Sequence, residues 1–117
     1  MKLYLFCLSL LVFFIDCNKS TNTTFIVINN STQRLDSIRL TTYGLRCVFD
    51  DLEAHTEKKK QAFVDYTGKY EGAFLITAFV KDSILFNDQF GYYSNSNDIK
   101  DEYTIEILPD FSIKERR

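Results

Sequence analysis

Apolar side chains recur at every second position in short runs set off by turn-forming residues, the period of β-strands rather than helices. Ile38 and Leu40 alternate with Arg39 and Thr41; Leu45, Cys47 and Phe49 repeat the pattern; Tyr103, Ile105 and Ile107 alternate with Thr104 and Glu106, a half-buried strand with one wet face. Two runs, Thr24–Ile28 and Glu71–Lys81, are apolar on both phases, as expected of strands covered on both faces or central to the domain. In the next run Ile84, Phe86, Phe90 and Tyr92 share one phase, expected to face the core, and Asp88 interrupts it. Gly91 sits on the opposite phase, the signature of a bulge or a close strand approach. Asn29–Thr32, Tyr43-Gly44, Thr67-Gly68, Lys81–Ser83 and Pro109-Asp110 read as turns, and Ser94–Glu102 as a polar loop. The charged stretch Asp50–Lys60 predicts a loop with a turn of helix from Leu52, followed by a short strand from Gln61 to Tyr66. Phe111 and Ile113 suggest a final short edge strand.

About six to eight strands with no helix of core-covering length predict an all-β fold, a small antiparallel β-sandwich of immunoglobulin-like or transthyretin-like architecture. Antiparallel pairing follows because the connections are too short for crossovers. The composition agrees: 11 Phe and 7 Tyr stand in a chain of 117 residues, and such residues favour a pleated surface. There is no Trp, so the Cys–Trp–Cys pattern of true immunoglobulin domains is absent.

The first residues carry a different signal. Lys2 precedes Leu3–Ile15, an uncharged and mostly apolar stretch that ends at Asp16. It is too short for a helix across about 30 Å of hydrocarbon and has the form of a secretory leader. Asp16-Cys17-Asn18-Lys19-Ser20 then places a cysteine directly behind the apolar run. Over residues 1–20 the chain resembles small bacterial cell-envelope lipoproteins, with Asp16 where the family usually has Gly, Ala or Ser. The resemblance implies cleavage before Cys17, lipid on Cys17 and attachment to a membrane. The expected organisation is a signal peptide over 1–17, a polar tether over 18–23 and one β-sandwich domain over 24–117. Cys7 leaves with the leader. With Cys17 lipidated, Cys47 is a lone, buried thiol; with cleavage upstream, a Cys17–Cys47 disulfide is open in an oxidising compartment.

Charge and motifs supply little chemistry. A net charge of -2 gives no basic excess for nucleic acid, and Lys58-Lys59-Lys60 and Arg116-Arg117 read as a solvated loop and tail. The scattered glycines form no phosphate loop. Asn95, Asn97, Asp98, Asp101 and Glu102 offer oxygen ligands without the spacing of a calcium loop. His55 and Cys47 cannot make a zinc site by themselves. The sequons at Asn18, Asn22, Asn29 and Asn30 read as polar composition. No enzyme, no metal and no cofactor is expected. Two residues are candidates for a binding surface: Asp88, either turned outward by a bulge or a polar anchor in a ligand groove, and Tyr93, the tyrosine expected at the surface. The expected role is a non-catalytic exported or membrane-tethered domain that binds an envelope protein partner, as an accessory or inhibitory protein. The alternative is a secreted module for a small ligand or carbohydrate.

Overall fold

The structure, a computed structural model, describes residues 20–42, 45–65, 71–94 and 99–116. Every regular element among them is a strand: β1 (Ser20–Asn29), β2 (Leu35–Thr42), β3 (Leu45–Leu52), β4 (Thr56–Asp65), β5 (Gly72–Val80), β6 (Ser83–Tyr93), β7 (Glu102–Ile107) and β8 (Ile113–Arg116). They form two four-stranded sheets, ordered β4-β1-β7-β8 and β3-β2-β5-β6, a small β-sandwich as the alternation predicts. Among the described residues no helix is long and apolar enough to cross a membrane.

The core lies between the sheets. Phe25 and Val27 of β1, Ile38 and Leu40 of β2, Phe74 and Ile76 of β5, and Ile105 and Ile107 of β7 are fully buried. Its centre is aromatic. The Phe74 ring lies 5.4 Å from Phe25, 5.2 Å from Phe90, 5.8 Å from Tyr93 and 5.0 Å from Tyr103. Phe25 and Tyr103 stack at 5.7 Å. Four of these five rings come from β5, β6 and β7, so this cluster joins the two sheets through contacts distant in sequence.

Three elements depart from the sequence pattern. First, β1 begins at Ser20, inside the stretch read as tether, and residues Ser20 to Thr23 pair with Asp65 to Ala62. Its other neighbour, β7, joins only from Thr24. The early half of β1 therefore has one strand neighbour; Thr23 there is fully buried, and its hydroxyl donates to the Lys100 carbonyl at 3.2 Å. Second, β1 and β7 run parallel, against the antiparallel expectation; every other pair is antiparallel. Third, the charged run predicted as a loop with a turn of helix is the end of β3, a tight turn and the ten-residue β4. The turn is built on His55, whose φ is 60° and whose N–H donates to the Asn29 carbonyl at 2.7 Å.

The chemistry of β4 explains why its pattern is illegible. Lys58 and Lys60 pair with Val27 and Phe25, so they occupy the core-facing phase of an edge strand. Lys60 Nζ donates to the Val48 carbonyl at 2.8 Å and Lys58 Nζ to the Asp50 carbonyl. Both acceptors belong to β3, the edge of the opposite sheet. Lysines thus occupy positions where a strand's core side ordinarily shows apolar residues, and they occupy edge carbonyls that would otherwise invite another chain.

Asn29 closes the other end of β1. Fully buried, its amide Nδ2 donates to the carbonyls of Gln33 at 2.8 Å, Leu52 at 3.1 Å and Glu53 at 3.3 Å. Its Oδ1 accepts from the N–H of Ser31 at 3.1 Å and from the Ser31 hydroxyl at 2.6 Å. One side chain thereby holds the β1–β2 turn against the β3–β4 turn. Asn29→Ala leaves several of these groups buried and unpaired, and a loss of about 2–3 kcal/mol in urea-unfolding stability is expected.

Candidate interaction surface

The two outer faces of the sandwich differ in charge. On the sheet β4-β1-β7-β8, outward positions include Glu57, Lys59, Glu102, Glu106, Lys114 and Arg116, given by their pairing with outward residues of neighbouring strands. On the sheet β3-β2-β5-β6, the charged outward residues are Arg46, Asp50 and Arg39, with Glu71 at the margin beside Tyr92. The remaining outward positions there include Val48, Leu75, Thr77, Phe79, Asn87 and Gln89. This second face is the charge-poor one.

Its apolar content comes from the geometry of β6. Phe74, Ile76 and Ala78 of β5 face Phe90, Asp88 and Phe86 of β6, all on the core side of the sheet. Beyond each end of this stretch the register shifts: Phe79 pairs with Ile84, and Gly72 with Tyr93. Relative to β5, β6 thus carries one extra residue near Leu85 and another near Gly91. An extra residue reverses which face the following side chains occupy. Ile84 and Tyr92, expected in the core by phase, are 62% and 70% exposed, and Tyr93, expected at the surface, is 3% exposed. Tyr93 packs on Phe74, and its hydroxyl hydrogen-bonds that of Thr42 at 2.7 Å. Phe90 is buried as predicted and Phe86 half-buried, stacked on Phe111 at 6.4 Å.

Asp88 is not turned by a bulge. Opposite Ile76, it holds the core-side phase of β6, yet it is exposed, and its carboxylate accepts from the Gln89 N–H at 2.8 Å. β6 is the edge of its sheet, and β8 on the facing sheet has only four residues. A charge on the inward phase of an edge strand, flanked by two bulges, hinders strand-to-strand association. That role accounts for Asp88 without a ligand. The grooves on the charge-poor face, one of about 530 Å³ beside Glu71, Gln89 and Tyr92 and one of about 330 Å³ beside Thr41 and Thr42, do not include it.

At the centre of the charge-poor face Arg39 lies over the Phe79 ring, 5.0 Å from its centroid. Arg39 Nε is buried and has no hydrogen-bond partner among the described residues. The cation–π contact offsets part of that loss. Phe79 pairs directly with the exposed Ile84, so guanidinium, ring and aliphatic chain adjoin one another.

The other sequence candidates disperse. Cys47 is a free, buried thiol on β3, and His55 is exposed in the next turn, eight residues on. Burial pushes the Cys47 thiol up in pKa, with Lys60 opposing, so the thiol keeps its proton at neutral pH. Among the described residues no three of His, Cys, Asp or Glu are grouped to hold a metal. Asn95, Asn97 and Asp98 lie outside the described residues, as do Cys7, Cys17, Asn18 and the whole leader. Of the sequons, Asn29 is buried, Asn30 donates to Glu106, and Asn22 is exposed.

The opposite face is held by ion pairs. Glu106, only 8% exposed, accepts from Asn30 and from Arg116, whose Nε and Nη2 lie 3.2 and 3.1 Å from Oε1. The Asn30 hydrogen bond first, then Arg116, holds the carboxyl below its ordinary pKa against the opposing effect of burial. A depressed folded-state pKa stabilises the fold above the ordinary carboxylate pKa, and that contribution is lost as pH falls through the folded value. Stability is expected to decline through the acid range, and Glu106→Gln to flatten that decline in urea titrations run from neutral to acid pH.

No protein-family model matches the chain, and no curated protein matches it. Among solved structures, the chain is similar to the NMR structure of a protein from Eubacterium rectale, at 15% identity and a TM-score of 0.47, covering 81% of this chain and 86% of that one.

Proposed function

We propose that this protein is a non-catalytic, exported domain, tethered to a membrane through Cys17, that binds a protein partner of the cell envelope. The observation that carries the binding role is the Arg39–Phe79–Ile84 group on the charge-poor face. Interface centres are depleted in charge and enriched in aromatic residues and Arg, and this face has that composition. The guarded edge at β6 favours approach to the face over addition of a strand.

A photoreactive amino acid at position 84, in cells that make the protein naturally, tests this. One discrete protein adduct is expected, and Arg39→Glu in the same chain should abolish it. Equal adduct yield from position 59 on the opposite face, or none from position 84, overturns the proposal. Carbohydrate binding lost on Tyr92→Ala, with no adduct at position 84, supports instead a secreted sugar-binding module using the groove beside Gln89.

A further inference from the structure

The large exposed apolar side chains are not spread evenly along the sandwich. Among the described residues four such side chains are exposed: Phe63 at 62%, Tyr92 at 70%, Leu75 at 39% and Ile84 at 62%. Three of the four lie toward one end. Phe63 pairs with Asn22, two residues from the start of β1; Tyr92 is next to last in β6; Leu75 pairs with Thr41 at the end of β2. Only Ile84 is at the opposite end, where β5 passes into β6. Phe63 and Tyr92 stand on the outer sides of different sheets, so the aromatics flank the end at which β1 begins.

The chain enters at that same end. Cys17 stands three positions before Ser20, where β1 starts. Three residues span at most about 10 Å fully extended. A lipid on Cys17 would therefore hold this end against the headgroups, with no long linker to let the domain stand away. The two ends also differ in charge. At the far end Arg34, Lys58, Lys81 and Lys114 are outnumbered by Asp36, Asp50, Asp51, Glu53, Glu57, Asp82, Glu106 and Asp110. Among the described side chains of the near end, Arg46, Lys100 and Arg116 nearly balance Glu71, Asp101, Glu102 and Glu115. The less acidic end suits a phospholipid surface, and tyrosine and phenylalanine suit the boundary between headgroup and acyl chain.

We infer that the β1-entry end is a membrane-contacting surface, in which Phe63 on one sheet and Tyr92 on the other insert at the level of the phospholipid headgroups and set the strands upright on the bilayer. This rests on the tethered reading of Cys17. It presents the Arg39–Phe79–Ile84 group on a flank clear of the membrane.

The test uses the full chain, processed in a bacterial host and reconstituted in phosphatidylcholine vesicles. Phe63→Cys and, separately, Ile84→Cys are labelled with an environment-sensitive fluorophore; the buried Cys47 stays unlabelled. Position 63 is expected to show a blue shift, a rise in emission and quenching by doxyl lipids, and position 84 none of these. Labels at 63 and 84 that respond alike, on a chain whose mass includes acyl groups on Cys17, overturn the inference and leave the tether standing. A mature chain without acyl mass on Cys17 overturns the tethered reading itself.

Discussion

Phe74→Ala is expected to lower the stability of the domain by about 3–5 kcal/mol, the range for truncating a phenylalanine in a close-packed core. Phe74 is fully buried on β5 and meets Phe25 of β1, Phe90 and Tyr93 of β6, and Tyr103 of β7. Removing it leaves four rings facing a void that none can fill without leaving its strand's pleat. A domain of this size has about 5–15 kcal/mol in all, so the variant is expected to stand near the folding threshold. Urea unfolding followed by tyrosine fluorescence measures the loss. Phe74→Leu, which keeps most of the volume, is expected to cost clearly less. Equal losses for the two variants would show that the site tolerates a cavity and that the aromatic cluster is not what joins the sheets.

Gly91→Ala comes second, at about 2–4 kcal/mol, for two separable reasons. Gly91 has a φ of +65°, which an alanine adopts at a cost of roughly 1–2 kcal/mol. A Cβ there would also stand 3.0 Å from ring carbons of both Phe74 and Tyr103, and crowding of a packed core adds about 1–3 kcal/mol. The two causes separate in a double-mutant cycle with Phe74→Leu. A smaller side chain at 74 relieves part of the crowding and none of the backbone strain. Favourable coupling between the substitutions is therefore expected, and strict additivity would assign the whole effect to the backbone.

Gly91 also marks where the sequence stops being readable. Through Phe86 and Phe90, period-two reasoning places the side chains on the correct side of β6. It places Ile84, Tyr92 and Tyr93 on the wrong one, because one extra residue near Leu85 and another near Gly91 reverse the faces beyond them. Gly91 hints at one bulge. Nothing in Ile84-Leu85-Phe86 signals the other, because a bulge is defined by the partner strand's register. Of the candidate binding residues, Tyr93 suffered from that reversal and is core; Asp88, between the two bulges, keeps its phase and guards an edge. The Arg39–Phe79–Ile84 group emerges only when β2, β5 and β6 are laid side by side. β4 shows a related failure. Its Lys58 and Lys60 face inward, and an inward lysine is intelligible only once the β3 carbonyls that receive it are in place.

Local alternation and turn chemistry were enough to determine an all-β chain, the strand positions of β2, β5 and β7, and a core that includes Ile38, Leu40, Tyr103 and Ile105, since burial of every second side chain leaves its imprint within a few residues. β5, apolar on both phases, left open which of its faces is core. The tertiary structure alone decided the parallel β1–β7 pair, the strand identity of the Lys58–Lys60 run and which outer face carries fewer charges. Those depend on hydrogen bonds and contacts between residues distant along the chain, and a period measured within one segment carries no information about its partner.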